Sequence, residues 1–274
     1  MITERYIRNI DQLEQNELNK GIVVGNEGCI YVAISEQIKQ IIKIAQNKGL
    51  SVRYVTPFIP EKYMSQIYNI IEEFTKSNQV KVVFNDYGFL YRCKSLIENK
   101  RIVPVLGRIL SRSIIDCPWA DKLLSNEYKE YSDIILGLNF NHGSKLEFLK
   151  KYHIEEIEVN IPKGDYNNEF EIPGMNLTTY RDNAIISMGR VCFQARLEKK
   201  KILNCNKQEK ICEKELIVTL GKRVGEKRVI GRNLNKEIRN DMGEMYVRGN
   251  IVYRKVTEED YVKVKDCLYC LIES

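Results

Sequence analysis

The sequence predicts an α/β protein, built as an irregular or incomplete (β/α) TIM-like barrel with a β-rich C-terminal closing segment. Three observations carry that prediction. Between residues 21 and 160, short apolar runs alternate with amphipathic ones at about 25 to 30 residues per unit, the rhythm of successive βαβ crossovers. Several apolar runs, VKVVF among them, are nearly continuous, as strands buried on both faces of a parallel sheet are. The 274 residues match the length of one such barrel. The same crossovers also build a doubly wound sheet, so the barrel is the favoured of two arrangements. No linker-like stretch divides the chain. Residues 1–274 therefore read as one domain, with βα repeats over about 20–165 and a closing part over 166–274.

Taken in order, GIVVGNEGCIYV reads as the first strand with a polar end. Ser35 then opens a helix whose Ile38, Ile41, Ile42 and Ala45 share a face before Gly49 stops it. SVRYVTPFI is the next strand. PEKYMSQIYNIIEEFTKSN is helical, with Pro60 suited to a first turn and Met64, Ile67, Ile70, Ile71 and Phe74 facing inward. VKVVFNDYG and the helix-like FLYRCKSLIENK repeat the unit. RIVPVLGRIL reads as a strand despite Pro104, which removes a ladder donor. After a polar stretch around Pro118 and Trp119, YSDIILGLNF, GSKLEFLKKYH and IEEIEVNIP give strand, helix and strand. Beyond Asn160 the rhythm breaks into a strand carrying Cys192, a basic loop carrying Cys205 and Cys212, the β-rich ELIVTLGKRV and EMYVRGNIVYRKV, and a helix-like VTEEDYVKVKDCLYCLIES.

Composition is that of a globular chain, 43% hydrophobic and 29% charged. The N-terminal MITERYIRNIDQLEQNELNKG is charged and lacks an apolar core, and no window approaches about eighteen apolar residues. These features predict a cytoplasmic protein with no membrane span, in which thiols stay reduced and eight cysteines read as metal ligands or fillers before disulfides. The net charge of +6 is mildly basic and gathers late in the chain, an arrangement that permits RNA without requiring it.

No GxGxxG follows a strand, and neither GxxxxGK[ST], GxSxG nor HExxH occurs, which removes support for nucleotide binding, serine hydrolysis and zincin chemistry. His142 and His153 flank one predicted helix without an obvious partner and read as capping or solvent-facing. In a barrel, chemistry sits at the C-terminal ends of the strands. Glu27, Cys29, Thr56, Asn85, Asp86, Arg108, Asn139, Glu158 and Asn160 fall there. Arg108 is costly to bury unpaired and suits either a carboxylate ligand, which guanidinium can bind bidentately, or neutralisation by Asp86. Asp86 itself reads either as acid–base group or as helix cap. Cys205 and Cys212 stand among Lys, Asn, Gln and Glu, where an apolar filler has nothing to fill, and with Cys192 give C-x12-C-x6-C. Cys93 reads as filler, and Cys267 and Cys270 as one helix face.

In order and spacing, EGCIY, VRYVTPFIPE, VVFNDYGFL, VLGRIL, LEFLKKYHIEEIEVNIP and GRVCFQAR together resemble the collagenase-like peptidase family over most of residues 20–215. Within it, the nearest branch is the one that serves anaerobic ubiquinone biosynthesis. The resemblance implies an irregular barrel holding a [4Fe-4S] cluster on Cys29, Cys192, Cys205 and Cys212. This chain departs from the pattern by six residues between Cys205 and Cys212, where that branch has a shorter gap, and by MGRVC in place of SGRC. Cys117, Cys267 and Cys270 stand as substitutes for Cys212.

The family takes part in oxygen-independent hydroxylation of ubiquinone precursors or RNA, with prephenate as oxygen donor, and some relatives are known as peptidases. The resemblance thus implies a hydroxylase subunit forming a heterodimer with a second family member. Arg108 would hold a small carboxylated or aromatic ligand such as prephenate in the barrel, and Asp86 or Glu158 would serve as acid or base. Neither a nucleophile–base pair nor a zinc motif is present for peptide cleavage. The alternative is a structural zinc on the same four thiolates, in a protein whose basic late segment binds RNA.

Overall fold

The computed structural model describes residues 1–14, 21–76, 78–113, 116–117, 137–140, 143–163, 170–197, 215–221, 223–224, 228–229 and 236–273. Seven strands come first: β1 (Ile2–Tyr6), β2 (Gly21–Gly25), β3 (Ser51–Val55), β4 (Val80–Phe84), β5 (Ile102–Leu106), β6 (Glu156–Glu158) and β7 (Asn176–Tyr180). An inserted part follows, with β8 (Asn183–Met188), β9 (Leu216–Thr219), the two-residue β10 (Arg223–Val224) and β11 (Arg228–Val229), β12 (Glu244–Arg248) and β13 (Ile251–Lys255). The last strand is β14 (Cys270–Glu273). Strands β1 to β7 and β14 form a closed, all-parallel barrel of order β1-β14-β7-β6-β5-β4-β3-β2. The inserted β8-β13-β12-β9 is an antiparallel sheet.

The barrel is thus complete, and three sequence-based expectations are corrected. GIVVG is its second strand, because ITERY precedes it and pairs with both β2 and β14. The βα repeats extend beyond residues 20–165, to β7 and β14 on one side and β1 on the other. The closing VTEEDYVKVKDCLYCLIES is helical only over Glu258–Val264, with one 3₁₀ turn at Lys265–Cys267, and its CLIE is the strand that closes the barrel.

The expected helices flank the early strands. Ile38 N–H donates to Ser35 Oγ at 3.4 Å to cap Glu36–Asn47, whose Ile38, Ile41, Ile42 and Ala45 are buried. Glu61–Phe74 buries Ile67, Ile70, Ile71 and Phe74. FLYRCKSLIENK divides into Tyr87–Arg92 and Lys94–Glu98 around the buried Cys93, and Gly143–Lys151 ends at an exposed His153 with φ 54. Pro104 is accommodated in β5 because Gly107 N–H points to Phe84 O on β4. By alternation the Pro104 nitrogen then faces β6, whose ladder to β5 begins only at Val105. YSDIIL and His142 lie outside the described residues.

Strand alternation sends Ile22, Val52, Tyr54, Val82, Phe84, Leu106, Ile157, Leu177 and Leu271 outward, into one core with the helices. Inside the barrel, Val23, Val55, Val83 and Val105 pack with Tyr180 and Ile272. Towards the N-terminal ends of the strands lies an ionic layer centred on Arg53. Its Nε donates to Glu4 Oε2 and its Nη2 to Glu156 Oε1, each at 2.5 Å, and its Nη1 lies 3.5 Å from Glu158 Oε1. Lys81 Nζ donates to Glu156 Oε2 at 2.9 Å. Burial alone would lower the Arg53 pKa, and the surrounding carboxylates outweigh it, keeping the guanidinium charged.

Glu158 is fully buried, and desolvation is the main reason its pKa rises to about 8, with Arg53 opposing the rise and the Glu27 and Glu156 charges adding to it. A protonated Glu158 leaves two carboxylates, Glu4 and Glu156, against the two cations Arg53 and Lys81. The native state holds this proton where an unfolded chain, titrating near 4.5, has released it. The contribution is therefore fully present below 4.5 and is lost as pH rises to about 8. In Glu158→Gln that part of the decline in stability should vanish from chemical-denaturation profiles recorded across the same interval, and a profile like the wild type's would contradict the assignment.

Candidate functional site at the barrel mouth

Leaving β5, the chain turns at Gly107, where a Cβ would collide with the Asn85 amide. That amide donates to Thr56 O at 2.9 Å and accepts from Ile109 N–H at 3.1 Å, fixing the turn that aims Arg108 across the mouth. Arg108 is 1% exposed. Its Nε and Nη2 bind Glu27 Oε2 and Oε1 bidentately at 2.8 and 2.6 Å, and its Nη1 and Nη2 donate to Asn183 O and Oδ1 at 2.9 and 2.8 Å. The guanidinium stacks 3.8 Å from the Tyr180 ring centroid. Burial opposes its charge, but Glu27 outweighs burial and raises its pKa above the ordinary value. Tyr253 O–H donates to Glu27 Oε1 at 3.1 Å.

These contacts fasten the antiparallel sheet over the barrel, since Asn183 opens β8 and Tyr253 lies in β13. Arg254 adds an ion pair to Asp260 at 3.2 Å and a hydrogen bond to Ile161 O. Between barrel and sheet is a cavity of about 160 Å³. Among the described residues, four tyrosines, four cations and three carboxylates line it with Asn26 and Asn183.

Of the acid–base candidates, Glu158 lies beneath the mouth, where Tyr180 O–H reaches its Oε2 at 3.4 Å. Asp86 stands apart and caps the helix Tyr87–Arg92. Its Oδ1 accepts from Phe89 N–H at 2.9 Å and its Oδ2 from Ile59 N–H at 3.2 Å, so Glu27, not Asp86, neutralises Arg108. Glu27 follows β2 and was legible as a polar group at a strand end. Tyr253 and Asn183 belong to the inserted sheet, whose place over the mouth no local pattern announces. Arg53 and Glu4 have the same history. The alternation of Glu156, Glu158 and Asn160 against Ile157 and Val159 was the signal that charge faces inward.

Cys29 precedes a one-turn helix, Ile30–Ala33, and its N–H and that of Gly28 donate to Asn26 Oδ1 at 2.7 and 2.8 Å. Cys192 precedes the short helix Phe193–Leu197, and its Sγ accepts from Ala195 N–H at 3.3 Å. Both segments meet the turn between β12 and β13. Gly249, at φ 60, exchanges hydrogen bonds with Gln194, and a Cβ placed on it would lie 3.9 Å from Cys29 Cβ. Asn250 bonds Gly189 through both its backbone and its side-chain amide, and its side chain also abuts Gly28. Cys29 and Cys192 are half-buried.

Cys205 and Cys212 lie outside the described residues, and among the described ones no group of three or more His, Cys, Asp or Glu is arranged to hold a metal. Cys270 points into the barrel, where burial raises its pKa to about 12, so the expected shared helix face with Cys267 does not form. Cys93 is core, with its thiol likewise raised to about 12 by burial. Cys117 is half-buried and Cys267 exposed.

Among the described residues no helix is long and apolar enough to cross a membrane. No family model matches the chain, and no curated protein matches it. Among solved structures it is similar to one described as "The Structure of the U32 Peptidase Mk0906", with 14% identity over 100% of this chain and 92% of that chain, and a TM-score of 0.42.

Proposed function

We propose that the protein is an iron-sulfur subunit of oxygen-independent hydroxylation, acting on a small aromatic or isoprenoid precursor or on RNA together with a second, related chain. The observation that supports this reading most directly is that Cys29 and Cys192, distant in sequence, are both held at the Gly249–Asn250 turn. Two half-buried thiols so positioned fit soft-metal ligation, and Cys205 and Cys212 follow Cys192 closely enough in sequence to supply the remaining ligands. A [4Fe-4S] cluster bound there would supply or accept electrons.

The chain's own contributions are positional. Asn26 fixes the Cys29 backbone, and the Ala195 N–H holds the Cys192 sulfur in place. The sheet over the mouth excludes water from the Glu27–Arg108 pair. Glu158, holding a proton at neutral pH and reached through the Tyr180 hydroxyl, is the group suited to give one up.

Anaerobically purified protein should carry about four irons per chain and absorb in the thiolate-to-iron charge-transfer region. Cys192→Ala should lose both the colour and the iron. Colourless protein after anaerobic reconstitution, or one zinc per chain without iron, would overturn the proposal.

A further inference from the structure

Cys192 lies in a short segment that is clamped at both ends. Upstream, Gly189 N–H donates to Asn250 O at 2.9 Å, and Gly189 O accepts from Asn250 Nδ2 at 2.7 Å. Downstream, Gln194 N–H donates to Gly249 O at 3.0 Å, and Gln194 Oε1 accepts from Gly249 N–H at 3.2 Å. Gln194 is fully buried. Four hydrogen bonds therefore fasten residues 189–194 to one two-residue turn. Between the clamps, Arg190 is exposed and Val191 is 42% exposed, so these side chains are held out beside the thiol by a fixed backbone.

The same rim continues onto the barrel. The Arg190 guanidinium lies 5.3 Å from the ring centroid of Phe58, itself 38% exposed. Lys62 Nζ lies 4.8 Å from the Tyr63 centroid, and Tyr63 meets Tyr31 edge-on at 5.8 Å. Tyr31 follows Cys29 by two residues, so the rim borders both thiols. Its charge is one-sided. Over residues 29–34, 58–63 and 189–197 the exposed charged groups are Lys62, Arg190 and Arg196 against Glu61, three cations to one carboxylate.

Exposed apolar side chains among cations, on a backbone that needs no ordering, suit a small protein contact in which the charges steer the encounter. A patch of this extent belongs with the small interfaces that transient electron-transfer partners use. The positive surplus selects an acidic partner. A single strand of nucleic acid answers the charge less well, because Phe58 and Tyr63 each already carry a cation over the ring, where a base would stack.

We propose that Phe58, Lys62, Tyr63, Arg190, Val191 and Arg196 form a docking surface for an acidic one-electron carrier protein at the cysteine site. The purpose of the docking rests on the iron-sulfur reading above, whereas the docking itself rests on the surface. A reduced flavin carrier seated here gives up one electron, passing from anionic hydroquinone to neutral semiquinone without releasing a proton. The oxidised cluster is the acceptor of that electron.

Flavodoxin, an acidic flavin carrier, is the probe. In calorimetric titration the metal-free full chain should bind it saturably, and the affinity should fall steeply as salt is raised. The double variant Lys62→Glu with Arg190→Glu should bind about tenfold more weakly or worse, with its thermal midpoint unchanged. In anaerobic rapid mixing, flavodoxin hydroquinone should reduce the reconstituted wild-type chain about tenfold faster than the double variant at limiting carrier, whereas dithionite, which needs no docking surface, should reduce both. No saturable binding to the metal-free chain, binding indifferent to salt, unaltered affinity in the double variant, or displacement of flavodoxin by an equimolar single-stranded oligoribonucleotide would each overturn the surface. Binding by a chain that takes up no iron on reconstitution would remove the iron-sulfur reading and leave the surface standing; iron uptake without binding would do the reverse.

Discussion

Arg53→Met should destabilise the protein by about 3–5 kcal/mol, the cost typical of removing one partner from a buried ionic group. The guanidinium is completely buried within the barrel and holds Glu4 from β1 and Glu156 from β6 on opposite sides. Methionine matches much of its length but leaves two carboxylates with Lys81 alone to balance them. Urea unfolding would show this as a lowered midpoint. The deficit should shrink at low pH, where the stranded carboxylates take up protons. The triple variant with Glu4→Gln and Glu156→Gln should recover part of the loss at neutral pH, since replacing an entire buried ionic group can be nearly neutral. A loss below about 1 kcal/mol, the range of exposed pairs, would mean that water reaches this layer.

Arg108→Met should have a loss of similar size, about 3–5 kcal/mol, for a different structural reason. Here the stranded group is Glu27, 6% exposed, and the Asn183 oxygens at the start of the inserted sheet lose their donors as well. The informative measurement is the double-mutant cycle with Glu27→Gln. Bidentate geometry and burial predict that the two substitutions together cost less than their sum, by up to about 3 kcal/mol. Additivity to within about 0.5 kcal/mol would show that the pair contributes no specific coupling. The single variant should also expose the cavity, so faster exchange of the Asn183 amide would accompany the lost stability.

The early repeats were legible because their physics is local. The helix Glu36–Asn47 has its cap, stripe and stop within one window of sequence, and VKVVF is apolar enough to demand cover on both sides. The polar groups expected at strand ends, Glu27, Thr56, Asn85, Arg108, Glu158 and Asn160, are all buried at that end of the barrel. The two closing strands were not legible. ITERY presents Glu4 to the interior, and a charged inward residue makes sense only once Arg53, on a different strand, is known to face it. CLIE follows a helix and a 3₁₀ turn directly, so its cysteine fell into an apparent i, i+3 pair. NLTTY of β7 turns Thr178 and Tyr180 inward, where Glu156 and Glu158 supply partners that no local pattern provides. At the candidate site, Cys29 and Cys192 could be proposed from sequence, but the Gly249 turn that gathers them could not.

The pairing of β1 with β14 also bears on how the molecule reaches its native state. Ile2 and Glu4 find their neighbours on one side in Cys270 and Ile272, contacts that close a very long loop. Closing so large a loop is entropically slow, and during synthesis the first strand has both neighbours only after β14 has emerged. Until then β1 and β7 each present an open edge, and the ionic residues destined for the interior remain reachable by water. The inserted sheet precedes β14 in chain order, so all of its strands are available to pair before the strand that seals the wall beneath them has been made.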